Sequence, residues 1–345
     1  MDVGNVARRL LRRQSSRQRM SSVTTGRDEA SEPWAPGFSA GNLHRREAGR
    51  LKPVLTDPER HPTRDLGLAE FEFVIGVRDG TVASAYPTDA LAIHHIVNDV
   101  VDSPLLVTFC SRCFSAVCFD PVVGGQRLIF RSEGLYDGNM AMRDTQTSTL
   151  WNQMSGEAMA GELAGTRLLM RPSSLVTVGE WLKLYPKSES PARRLLRTAP
   201  QRRLPGHFAA GAADLVSHRD DRLEPDTFVL GVDVPGAPIA FILDSRNPGP
   251  RLFQAEVADV PVALIAPPGG WPVAFDRRIG GETIDLNAAD DGHLSGNGSE
   301  WNHEGVATDG PHKGRALAFI PSRTVHWFAW VTAHPQTQIQ HVESA

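Results

Sequence analysis

Apolar and polar residues alternate through FEFVIGVRDGTVASAYP (Phe71–Pro87), enter an Asp79-Gly80 turn and leave it through Val82 and Ala85. That pattern predicts a β-hairpin. The short apolar runs PLLVTFC (Pro104–Cys110) and AVCFD (Ala116–Asp120) predict two strands, and a Gly124-Gly125 turn leads to a third, RLIF. Helical patterning is confined to Pro87–Val97 and Val178–Leu184. Residues 1–65 are rich in Arg, Ser, Pro and Gly without sustained periodicity, which predicts a largely disordered or extended amino-terminal arm. A basic, breaker-rich stretch within 187–225 reads as an exposed linker.

Beyond the linker, earlier strings return in order. FVIG at Phe73 is echoed by FVLG at Phe228, PLLVTFC at Pro104 by PVALIAP at Pro261, and Phe119-Asp120 by Phe275-Asp276. Trp151-Asn152 returns as Trp301-Asn302, and Trp181 with Pro186 as Trp330 with Pro335. The expectation is a tandem duplication of a unit of about 110–120 residues. The expected fold class is strand-rich α+β, built as two pseudo-symmetric halves. Residues 66–186 would be the first repeat and carry the site. Residues 226–345 would be a degenerate, supporting repeat, since neither the thiols nor His94 recur there.

Composition narrows the function. Over 345 residues, 36 Lys and Arg stand against 40 Asp and Glu, a formal charge of -4. This balance disfavours a nucleic-acid-binding body. No apolar run approaches the ~18 residues of a membrane span, so no membrane partner is expected. The first twenty residues hold six arginines and one acid, with no apolar stretch behind them. They do not read as a secretory signal, and a cytoplasmic protein is expected.

The candidate chemistry is concentrated in one place. The 3 cysteines of the chain, Cys110, Cys113 and Cys118, fall within nine residues. Cys110 and Cys113 form C-x-x-C at a strand end, a spacing that lets both sulfurs face one ion or each other. With His94 upstream and Met142 downstream, the expected metal ligands are His94, Cys110, Cys113 and Met142, suiting copper, zinc or iron. Cys110 and Asp144 are the candidate catalytic residues, Asp144 orienting a ligand or accepting a proton, with turn stabilisation as its equal alternative. The expected function is a metal- or thiol-dependent enzyme, an oxidoreductase on a small organic substrate. Two alternatives stand beside it: a non-catalytic metal- or ligand-binding protein, and a metal-free cysteine enzyme. Buried cysteine as plain core is the structural alternative, and it is the expectation for Cys118.

The strings HHIVND (94–99), TFCSRCFSAVCFD (108–120), SEGLYDGNMAMRD (132–144) and STLWNQMSGEAMAGELAGTRL (148–168) resemble the family DUF3179, which has no assigned function. The resemblance covers about 70–186 and 226–340. His94, Asn98, Asp99, Cys110, Cys113, Ser132, Tyr136, Met142, Asp144, Trp151 and Gln153 fall on matching positions. The departures are His95 where the pattern has glutamate, Phe114 for glycine, Asp137 for asparagine, Asn139 for aspartate and Arg143 for tyrosine. The resemblance implies altered substrate choice around 137–143 and an added ligand at His95.

Overall fold

The computed structural model describes residues 34–45, 54–191, 211–243, 251–289 and 293–342. The arginine-rich start and most of the breaker-rich linker lie outside the described residues. Parts of the expected arm do form structure. Leu43–His44, Leu55–Thr56 and Arg60–Pro62 are short strands, each at the edge of a five-stranded sheet.

The α+β expectation is corrected. Among the described residues 47% are strand and 12% helix, so the fold is mainly β. The three α-helices among the described residues are seven residues each: α1 (Thr88–His94), α2 (Val178–Leu184) and α3 (Trp327–Ala333). The helix expected to run to Val97 stops short for a local reason. His95 takes a φ of 63° and closes α1 with its N–H on the Leu91 carbonyl. The β-branched run that follows, Ile96–Val100, then pairs as a strand with Pro104–Cys110.

The hairpin of the opening pattern is present as Phe73–Asp79 against Val82–Pro87. It lies inside a sheet ordered Ser174–Thr177, Phe73–Asp79, Val82–Pro87, Glu189–Pro191, Arg60–Pro62. A second sheet runs Leu169–Arg171, Ser115–Asp120, Pro104–Cys110, Ile96–Val100, Leu55–Thr56. A third runs Leu43–His44, Phe130–Tyr136, Asn139–Asp144, Leu150–Asn152, Ala158–Ala160. The carboxy-terminal portion forms four-stranded sheets instead, one of them ordered Ser322–His326, Phe228–Val232, Ile239–Ile242, Gln338–His341.

The expected duplication is not shown. The two portions differ in strand number, and the apolar residues do not separate into two self-contained cores. One buried cluster joins Cys110, Cys113, Met142 and Trp151 to Val325 and Trp327–Val331. Another joins Ile75, Val107 and Phe114 to Phe228, Phe241 and Leu264. The FVIG and FVLG echo has a packing explanation. A Cβ at Gly76 would lie 2.3 Å from the Trp181 ring, and one at Gly231 would lie 2.1 Å from Trp330. Only glycine lets an indole lie that close to a strand. Among the described residues no helix is long and apolar enough to cross a membrane.

Candidate functional site

Cys110 ends one strand and Ser115 begins the next, and the two are paired in register. The turn between them closes because Phe114 takes a φ of 54°. This left-handed conformation costs a non-glycine residue about 1–2 kcal/mol. Packing offsets the cost: the Phe114 ring is buried, 4.9 Å from that of Phe228 and 5.4 Å from that of Phe109. The two thiols are thus held on a tight hairpin whose far wall belongs to the carboxy-terminal portion, where the His326 N–H donates to the Cys113 carbonyl at 3.0 Å.

Cys110 and Cys113 are both free thiols, and they are not equivalent. The sulfur of Cys110 accepts the S–H of Cys113 and the backbone N–H groups of Cys113, Arg112 and Met140. These donors favour a thiolate, led by Cys113, and they outweigh burial to hold Cys110 below the ordinary thiol range. Cys113 moves the other way: burial, then its bond to Cys110, pushes it well above that range.

A chain of side chains fixes where the proton sits. Thr108 Oγ1 donates to the Val117 carbonyl (2.7 Å), so it accepts from Gln153 Nε2 (3.0 Å). Gln153 therefore presents Oε1 to Ser115, whose hydroxyl donates to it at 2.7 Å. With its own hydrogen committed, Ser115 Oγ faces Cys113 Sγ (3.2 Å) as an acceptor. The Cys113 hydrogen has two acceptors, Ser115 and Cys110, and no competing donor among these partners. All four side chains are buried. Gln153 and Ser115 were not singled out as site residues in the sequence. The available signal was that Gln153, two residues after Trp151, falls on a matching position of the family pattern.

Of the other expected site residues, Met142 shares a buried cluster with the pair. It stands two residues along its strand from Met140. His94 is buried at the end of α1. Its neighbour His95 approaches the thiol turn, Nδ1 lying 3.1 Å from the carbonyl of Phe109. Burial, with His94 and Arg112 nearby, lowers the His95 pKa.

Asp144 is not brought to the thiols. It sits four residues beyond Met140, about 13 Å along the strand. Its carboxylate accepts from Thr147 N (2.6 Å), Thr149 N (3.1 Å), Trp151 Nε1 (2.9 Å) and the Thr147 hydroxyl. That geometry builds the turn over residues 144–149. Among the described residues no three His, Cys, Asp or Glu side chains gather into a group that could hold a metal ion. The donor set placed together is two thiols, short of the four ligands of a structural zinc site.

Several departures from the family pattern are backbone positions. His95, Phe114 and Asp137 all have positive φ, at 63°, 54° and 52°. Asp137 also accepts from Ser217 N and Oγ, tying the hairpin tip to the described end of the expected linker. Arg143 pairs with Glu133 at 3.2 Å and donates to the Ser148 carbonyl.

A family model described only as a protein of unknown function (DUF3179) matches residues 52–337. No curated protein and no solved structure matches the chain.

Proposed function

The chain belongs to the DUF3179 family, a membership that assigns no chemistry, and we therefore propose a function from the thiol pair itself: a metal-free, cysteine-dependent oxidoreductase acting on a small organic disulfide. The observation that carries this reading is the polarised pair, a Cys110 sulfur cradled by three backbone N–H groups beside a Cys113 that keeps its hydrogen. The thiolate is the nucleophile in disulfide exchange. Both cysteines are buried, and it is the polarity of the pair that makes Cys110 the attacking sulfur in this reading.

In this reading the Cys110 thiolate attacks one sulfur of RSSR, forming Cys110–S–S–R and releasing RS⁻. Cys113 gives its proton to that RS⁻, attacks the Cys110 sulfur, and releases the second RS⁻, which takes a proton from solvent. Two electrons pass from the dithiol to the substrate, leaving a Cys110–Cys113 disulfide and two RSH. An external dithiol restores the pair. A cytoplasmic setting suits this cycle, because a reducing compartment maintains thiols. Ser115 and Gln153 position the Cys113 proton; they touch neither substrate nor the sulfur attacked.

The test uses reduced, desalted full-length protein and 2-hydroxyethyl disulfide. The reading expects one disulfide consumed per chain, unchanged by EDTA. Cys113→Ser should stop at the mixed disulfide on Cys110, and Cys110→Ser should be inert. Consumption that survives in Cys110→Ser, or that requires an added metal ion, overturns it.

A further inference from the structure

Away from the thiols, a cavity of about 310 Å³ opens beside the strands Phe73–Asp79 and Ser174–Thr177. Its size falls at the small end of ligand pockets. Trp181, Phe275 and Val306 supply apolar wall, and Arg78, His303 and Glu304 supply polar groups.

Those polar groups form a closed chain. Arg78 donates to Glu304 Oε2 at 2.5 Å, and the Tyr185 hydroxyl donates to Oε1 at 2.5 Å. The Tyr185 hydrogen is therefore committed, and its 3.2 Å contact with His303 Nε2 makes that nitrogen the donor. Burial, followed by the nearby Arg251 and Arg78 and against the pull of Glu304, lowers the His303 pKa and keeps the ring neutral. A neutral imidazole with hydrogen on Nε2 has a bare acceptor at Nδ1.

The charges around the cavity cancel. The charged side chains of the lining are Arg78 and Glu304, and they are paired with each other. A charged ligand entering here would leave its water without gaining an unmatched counter-ion, which is costly against apolar walls. An uncharged ring would cover Trp181 and Phe275 and lose nothing of the kind. We propose that this cavity is a binding site for a small uncharged hydroxylated aromatic molecule, a phenol in the simplest case, which stacks on the apolar wall and exchanges hydrogen bonds with the Arg78–Glu304–His303 edge. The proposal is independent of the thiol pair.

Ligand-observed saturation-transfer NMR on the full chain tests it, with phenol, benzoate and benzylamine as probes. Phenol should bind at least tenfold more tightly than either ion. Val306→Trp, which fills the cavity, should weaken phenol at least tenfold, with folding checked by circular dichroism. Glu304→Gln leaves Arg78 without its counter-charge and should shift preference toward benzoate at least tenfold while the fold is kept. Phenol binding that is absent, no tighter than benzoate or benzylamine, or unchanged in folded Val306→Trp overturns the proposal, as does an unaltered preference in Glu304→Gln.

Discussion

At Phe114 one residue carries both a backbone strain and a packing contribution, and the two can be separated. Phe114→Ala removes the buried ring but keeps a Cβ at positive φ, and should cost about 3–5 kcal/mol. Phe114→Gly leaves the same cavity yet adopts that φ freely, so it should be about 1 kcal/mol more stable than the alanine variant. Equal denaturation midpoints with equal m-values would show that the turn stores no strain. Cys110 makes a second prediction at this scale. Its alkylation by iodoacetamide should rise with pH along a curve whose midpoint lies below the ordinary thiol value, while Cys113 and Cys118 stay unreactive there. Cys118 is pushed up to about 12, chiefly by burial. Peptide-resolved mass spectrometry reads all three. That Cys110 and Cys113 lie side by side was legible from the C-x-x-C spacing alone. The inequality of the two sulfurs was not, because it depends on the Met140 N–H and on Gln153, which the fold brings in from distant strands.

Among the elements, the turn over 144–149 shows Asp144 in a stabilising role, the alternative that its sequence left open beside acid–base chemistry. Asp144→Ala would strand two backbone N–H groups and the Trp151 indole N–H in the interior, and should cost about 3 kcal/mol or more. The surviving folded fraction should keep the Cys110 alkylation profile of the parent. A folded Asp144→Ala protein with an altered profile would return Asp144 to the site. Trp151→Ala and Trp301→Ala should each lose about 3–5 kcal/mol in chemical denaturation, both indoles being buried and hydrogen-bonded. Strands with a turn signal were readable in advance: Val178–Leu184 is helical as expected, and the Asp79-Gly80 hairpin is in place. The Pro87–Val97 helix was overextended because a single residue at positive φ, His95, ends it, and histidine, though enriched at positive φ, adopts it too rarely for the sequence to mark the stop.

For the whole molecule, three histidines, His326 buried and His95 and His303 half-buried, couple stability to pH. His95, His303 and His326 are all lowered, in each case first by burial, so the unfolded chain binds more protons than the folded one just below the ordinary histidine value of 6.5. Their contribution is present above that pH and is lost as pH falls toward the folded values. Tm should therefore decrease on acidification from about pH 6.5, and a flat Tm between pH 7 and 5.5 would contradict it. The β-rich character was visible in the short apolar runs, but the shared cores were not. Repeated strings suggested two pseudo-symmetric halves packed face to face; no duplication is shown, and the cores are shared, with contacts such as His326 N–H to the Cys113 carbonyl running between the two portions. The central claim, that Cys110 and Cys113 are one redox couple, is tested most directly by equilibrating the full chain in glutathione buffers of stepped potential and mapping each cysteine by differential alkylation. The account predicts a single two-electron transition that yields a Cys110–Cys113 disulfide while Cys118 stays reduced. Independent titration of the two cysteines, or a pair that remains dithiol at every potential, would contradict it.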